Sequence, residues 1–284
     1  MRVLLTSDLH GDETKLRWLI ESAPAHDALL VAGDLLDIFS NAGFVEQKSR
    51  IIRWKSSVLA RDRALAWCSG NHDFFHGDHT PRSAASPMWM RENPATKMFV
   101  PDGESRLIET PGERMAVTSL PWPAGGDDLV VNGYRTTFME FTAKLLRDGK
   151  KLQAEECVPW IVLCHEPPGD TPLAADYMAR EADVARMMIE AAGPDFSLHG
   201  HIHHAPTSPG GLWIWQLGKT VCFNAGQSAA GEPPHFILLE WRARGDYTAI
   251  WNGGGRVLRA EVKPDCTALP PSGFDDSEED FLDE

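Results

Sequence analysis

Five short apolar runs in this chain end alike, in a small residue followed at once by a side chain of the kind that binds metal ions. Val3 to Ser7 meets Asp8 and His10; Leu29 to Gly33 meets Asp34; Leu65 to Gly70 meets Asn71 and His72. Ile161 to Cys164 meets His165, and Phe196 to Gly200 meets His201 and His203. Runs of this length and content read as buried strands. In open α/β sheets ligands collect outside the carboxyl ends of the strands, so endings of this type converge on one crevice however far apart they lie in sequence. The fold must therefore bring five strand ends to one place.

The segments between these runs supply the rest of an α/β pattern. A helical period through Leu16, Leu19 and Ile20 separates the first two strands, and a second from about Phe44 to Ala60 leads into the strand Ala64 to Cys68. From Asp73 to about Pro94 no period holds, and the stretch reads as a loop or small insertion. Arg106 to Glu109 and Arg114 to Ser119, separated by Pro111 and Gly112, predict a hairpin. Helices are expected at about Tyr134 to Arg147 and Tyr177 to Ala191, and strands around Leu212 to Leu217, Thr220 to Asn224, Phe236 to Trp241 and Tyr247 to Trp251. With no internal repeat or linker, residues 1–262 read as one domain. Residues 263–284 read as a disordered acidic tail, since Asp275 to Glu284 holds seven acids and no base.

Outside those ten residues 34 acids still face 27 bases, so nucleic acid is not expected as an obligatory partner. No stretch reaches the roughly 20 apolar residues of a membrane helix, and residues 1–7 lack the apolar core of a signal peptide. The five cysteines are odd in number, widely spaced and without a CxxC pair, which fits a reducing cytoplasm. The sequence carries no signal of oligomeric state.

Seven groups, Asp8, His10, Asp34, Asn71, His165, His201 and His203, give each of two metals four ligands if one carboxylate bridges, and Asp34 is the natural bridge. The donors are oxygen and imidazole nitrogen with no thiolate. That set suits manganese, iron, zinc, cobalt or nickel, with manganese favoured, and argues against a purely structural zinc site.

The order DxH (Asp8, His10), GDxxD (Gly33, Asp34, Asp37), GNHD (Gly70 to Asp73), a lone His165 and GHxH (Gly200 to His203) resembles the calcineurin-like metallophosphoesterases. The resemblance implies a four-layer α/β fold, two packed mixed β-sheets flanked by helices. It implies that Asp8, His10, Asp34 and His203 hold one metal, and Asp34, Asn71, His165 and His201 the other. It also implies a hydrolase in which a metal-bridging hydroxide attacks phosphorus while His72, paired with Asp73, protonates the leaving oxygen. Phosphoprotein phosphatases of the family carry an arginine soon after GDxxD, where this chain has Ile38 and Phe39, and GNHE in place of GNHD. A phosphodiesterase of a small molecule is therefore expected, with a phosphomonoesterase or a non-catalytic metal-binding scaffold as the other readings.

Other residues near the motifs have plainer roles. Asp37 is expected to make a structural hydrogen bond, Gly33, Gly70 and Gly200 to permit tight turns, and His199 to pack in the core. Cys68 and Cys164 read as inert core thiols. His204 and Arg82 are candidates for substrate contact, and His76, His79 and Arg91 share the irregular stretch with Arg82.

Overall fold

The runs at 28–32, 64–68 and 160–164 are apolar at every position and need cover on both faces. Each becomes a fully buried strand. The computed structural model describes residues 1–74, 86–91, 96–122, 129–131, 134–171, 173, 180–243 and 245–264. Its first sheet contains β1 (Arg2–Thr6), β2 (Ala28–Ala32), β3 (Ala64–Cys68), β4 (Phe99–Val100), β13 (Phe236–Ala243), β14 (Asp246–Gly253) and β15 (Arg256–Val262), in the order β15-β14-β13-β1-β2-β3-β4. The second contains β5 (Ser105–Thr110), β6 (Glu113–Leu120), β9 (Trp160–Cys164), β10 (Phe196–His199), β11 (Ile214–Leu217) and β12 (Thr220–Asn224), in the order β11-β12-β10-β9-β6-β5. Both are mixed: β1 to β4 run parallel and β13 to β15 antiparallel, while β6, β9, β10 and β12 are parallel between antiparallel edges. A small ribbon pairs β7 (Leu129–Val131) with β8 (Tyr134–Thr136).

Strand alternation divides the core into three slabs. Val3, Leu5 and Leu30 of the first sheet pack with Val117, Ile161, Leu163 and Phe196 of the second, so the two sheets lie face to face. On the outer side of the first, Leu4, Leu29 and Trp67 meet Leu16 and Leu19 of α1 (Glu13–Glu21) and Ile51, Trp54 and Val58 of α2 (Phe44–Leu59). Outside the second, Trp160 and Val162 meet Leu145 and Leu146 of α4 (Phe138–Glu156) and Met188 and Ile189 of α5 (Arg180–Ala192). The result is the expected helix, sheet, sheet, helix layering.

Several boundaries differ from the sequence reading. Tyr134–Thr136, expected to be helical, is strand β8, and the helix starts only after Thr137. There Thr137 accepts the N–H of Glu140 at 3.1 Å while the Glu140 carboxylate accepts that of Thr137 at 3.0 Å. The helix then runs nine residues past Arg147, through Gly149 to Glu156. The short α3 (Met88–Arg91), β4 and the edge strand β15 were not anticipated. Of the expected acidic tail only Lys263 and Pro264 are described; the rest of it, like His76, His79 and Arg82, lies outside the described residues.

Gly149 explains how α4 approaches the second sheet. A Cβ there would overlap Thr118 Oγ1 and come within 2.6 Å of Trp160 Nε1, two buried side chains bonded to each other at 3.0 Å. In an exposed helix a Gly→Ala change stabilises by about 1 kcal/mol. Here Gly149→Ala is expected to destabilise by about 1–3 kcal/mol through overpacking, measured by urea unfolding; a more stable variant would contradict this packing.

Candidate metal centre

The loops leaving β1 and β2 run side by side, with backbone bonds from Asp8 N–H to Gly33 O, His10 N–H to Asp34 O and Gly11 N–H to Leu35 O at 2.7–3.2 Å. In the second sheet the Gly200 N–H bonds the His165 carbonyl at 3.0 Å, joining the ends of β9 and β10. Bonds between the two sets include that from the His201 N–H to Asp8 Oδ1 at 3.1 Å. Asp8, His10, Asp34 and His201 all have φ between 49° and 65°, making them four of the seven described non-glycine residues in the left-handed region. Such backbone is unfavourable for a side-chain-bearing residue and persists where surrounding structure enforces it, most often at functional sites.

Asp34 lies at the middle of the cluster. Its Oδ1 accepts the His72 N–H at 2.9 Å, while Oδ2 faces His165 Nε2 at 3.3 Å and His10 Nε2 and His72 Nε2 at 3.9 Å each. Candidate donor atoms of Asp8, His10, Asp34 and His203 all fall within 4.8 Å of one another, with His203 Nε2 at 3.2 Å from Asp8 Oδ1. On the other side Asn71 Oδ1 lies 3.2 Å from His165 Nε2 and 2.9 Å from His201 Nδ1. Two donors about 2.1 Å from a shared tetrahedral cation stand about 3.4 Å apart, and these separations are of that order. His165 Nδ1 bonds the Ala32 carbonyl at 2.7 Å, which leaves Nε2 as the lone pair turned inward.

The residues fit a cation on two further counts. Asp8 Oδ2 and His10 Nε2 are buried without a hydrogen-bond partner, a rare state that a metal would relieve. Electrostatics point the same way. Burial opposes ionisation of Asp8, yet the His203 hydrogen bond and the charge of His165 hold its carboxyl well below the usual range. Burial also opposes ionisation of Asp34, and His165 reverses it. Burial disfavours a charged His165, but Asp34 and Asp8 push its pKa up to about 10, whereas His201, buried and repelled by His165, falls to about 4. Two enclosed carboxylates thus draw positive charge onto the nearest imidazole, and a metal ion would replace that proton.

His72 turns Nε2 toward Asp34, and its Nδ1 accepts the Ile38 N–H at 3.3 Å, so the ring proton of the neutral form sits on Nε2. The carboxylate beside Nδ1 is that of Asp37, at 3.6 Å, and not that of Asp73. Asp73 accepts the backbone N–H groups of Gly70 at 2.8 Å, Leu36 at 3.0 Å and Leu35 at 3.4 Å, so it clamps two loops together. Burial and the charge of Asp34 raise its pKa to about 8. Asp37 also makes a local bond, accepting the Phe39 N–H at 2.8 Å. His204 is exposed, and its carbonyl is held by Asn224 Nδ2 at 3.3 Å. Arg91 is exposed at the end of α3. His199 is fully buried, with Nδ1 bonded to the Cys164 and Glu166 carbonyls at 3.0 and 3.1 Å and its pKa lowered by burial to about 4. Burial pushes the thiols of Cys68 and Cys164 upward, the latter to about 12, which keeps them unreactive.

Of the three motif glycines only Gly33, at φ +78°, adopts a turn conformation that favours glycine. Gly70, at φ −112°, is extended, and what it supplies is room: a Cβ would overlap Asp34 Oδ1. At Gly200 it would stand 2.8 Å from Asp8 Oδ2 and 2.9 Å from His165 Nδ1.

Three supporting residues escaped sequence reasoning. Asn224, buried at the end of β12, bonds the Ile202 and His204 carbonyls and so shapes the loop carrying His203; a polar residue closing the apolar run Val221 to Phe223 was the available signal. Gln47 of α2 bonds both the N–H and the carbonyl of Asp37 and the carbonyl of Ala42 at 2.8–3.0 Å. Trp122 packs over His165 and His201, with ring centroids 5.6 and 5.3 Å away.

Among solved structures the chain is similar to a dimetal phosphatase from Danio rerio, with a TM-score of 0.51 and 12% identity over 93% of this chain and 98% of that one. It is also similar to a putative 5'-nucleotidase from Staphylococcus aureus, with a TM-score of 0.50 and 14% identity over 84% of this chain, which spans only 50% of that structure. At such identities the likeness is one of fold. No curated protein sequence matches the chain. The sequence model described as calcineurin-like phosphoesterase does match, over residues 1–205, a span that takes in every donor from Asp8 to His203. The chain belongs to the calcineurin-like phosphoesterases, a family of metal-dependent hydrolases.

Proposed function

We propose that the protein is a phosphodiesterase of a small molecule, working with two metal ions that share Asp34. Asp8, His10, Asp34 and His203 hold one, and Asp34, Asn71, His165 and His201 the other; manganese suits this oxygen and nitrogen set. The observation that carries the reading is Asp34 Oδ2, faced by His165 at 3.3 Å and by His10 at 3.9 Å, one imidazole from each set. Bound metals supply Lewis acidity toward the phosphoryl oxygens and lower the pKa of a water nucleophile.

This chain's own residues handle the leaving group. As the doubly protonated imidazolium, His72 gives the Nε2 proton, on the side facing Asp34, to the leaving oxygen as the ester bond breaks and is left a neutral imidazole. The Asp37 carboxylate stands 3.6 Å from Nδ1, the nitrogen that carries the second proton of the imidazolium. Asp73 is a positioning residue, tying the 70–73 turn to the 34–36 loop. The loop after Asp37 offers Ile38 and Phe39 in place of an arginine, which suits the single negative charge of a diester better than the two of a monoester. The described cysteines 68, 157, 164 and 222 carry free thiols, in keeping with a reducing cytoplasm.

Elemental analysis of the purified protein is expected to give two metals per chain. Asp34→Ala and Asn71→Ala should each lose metal-stimulated turnover by at least about 1000-fold, and full turnover in either would reject the ligand assignment. With manganese, bis(4-nitrophenyl) phosphate should exceed 4-nitrophenyl phosphate in kcat/KM by about tenfold or more; the opposite order would make the protein a phosphomonoesterase. Bound metal with no turnover of any ester would make it a scaffold.

Gly70→Ala keeps an allowed backbone conformation while intruding on Asp34. It is expected to weaken metal binding by about 10- to 100-fold, the usual range for disturbing the support of a ligand. Gly43→Ala, where nothing lies within 4 Å, should leave binding unchanged, as titration with manganese will show.

A further inference from the structure

Phe39 is 81% exposed, more than any other large apolar side chain among the described residues. Single exposed apolar residues are ordinary on protein surfaces. Two observations set this one apart. The first is position: the ring centroid lies 5.5 Å from that of His72, at 76° between planes, and His72 in turn stands 4.6 Å from His10. The ring therefore borders the imidazole that faces Asp34.

The second is rigidity. The Phe39 N–H is tied to Asp37 Oδ1 at 2.8 Å and the Ile38 N–H to His72 Nδ1 at 3.3 Å. The buried Gln47 side chain fixes the loop at both ends, through Asp37 and Ala42. An aromatic ring held out on a pinned loop is ready to stack against another flat ring at little further entropic cost. Trp122, on the side of His165 and His201, differs in being only partly exposed and packed on those two rings.

We infer that Phe39 is a stacking platform for a flat aromatic ring in the leaving group, so that the substrates are phosphoesters whose departing alcohol carries such a ring. The inference rests on the role proposed above for His72, which places the leaving oxygen next to its Nε2. In the reaction the bond from phosphorus to that oxygen breaks, water supplies the new oxygen on phosphorus, and the leaving oxygen takes the His72 proton. The ring attached to it then lies against Phe39.

The test needs no turnover. Benzyl(methyl)phosphinate and cyclohexylmethyl(methyl)phosphinate carry the single negative charge of a diester, contain no ester bond to hydrolyse, match in size and differ in flatness, and each can be titrated calorimetrically into the manganese-loaded full chain. Benzyl(methyl)phosphinate is expected to bind about fivefold more tightly, the difference to vanish in Phe39→Ala, and to persist in Phe39→Trp. Thermal unfolding of Phe39→Ala should be unchanged, given the exposure of the side chain. Equal affinities in the natural protein, or a preference that survives Phe39→Ala, would overturn the inference. A preference found in a protein that cleaves no ester would count against the hydrolase reading and leave the stacking role standing.

Discussion

Two carboxylates, Asp8 and Asp34, are sealed almost completely from solvent, and the rest of the molecule is arranged around that fact. An isolated charge so placed carries a cost of several kcal/mol, and proteins tolerate it only with partners of opposite sign. The partners here are imidazoles, which in their neutral form are poor compensation and good ligands. The cluster is consequently a site of negative potential built to receive cations, and the proton drawn to His165 marks where one is wanted.

Holding those groups at 3–4 Å from one another requires a scaffold that does not yield. Parallel strands buried on both faces provide it, since each is braced by neighbours in its sheet and by a layer on either side. The loops beyond them then adopt conformations that would not persist alone. Four site residues sit in the left-handed region, and three glycines keep clear the space into which Asp34, Asp8 and His165 fit. Strain at the strand ends and regularity within the strands are two parts of one arrangement.

Much of this was legible in the sequence because its signals are local and repeated. The buried strands β2, β3 and β9 are continuous apolar runs, and their endings announce the donors. The presence of α1 and the approximate limits of α2 follow equally from their apolar period. What escaped depends on tertiary context. β15 exposes four of its first five positions at least in part and has little apolar pattern to betray it, and β4 is only two residues long. The helix expected to end at about Arg147 continues through Gly149, whose fit depends on the indole and hydroxyl facing it. Asp73, adjacent to His72 in sequence, was the obvious partner for its ring, yet consecutive side chains on a tight turn diverge, and the carboxylate that arrives is Asp37 from another loop. Adjacency along the chain misleads where the backbone turns sharply.

The strand order of the first sheet carries a consequence for biogenesis. β1, which leads to Asp8, is flanked on one side by β13, and the Met1 ammonium bonds the Trp241 carbonyl at 2.9 Å. A pairing that spans some 235 residues cannot form until β13 has left the ribosome. Until then β1 to β3 present an unzipped apolar margin, a hazard for self-association and an invitation to chaperones. The metal pocket, resting on that same strand, therefore gains its full bracing only once β13 has paired.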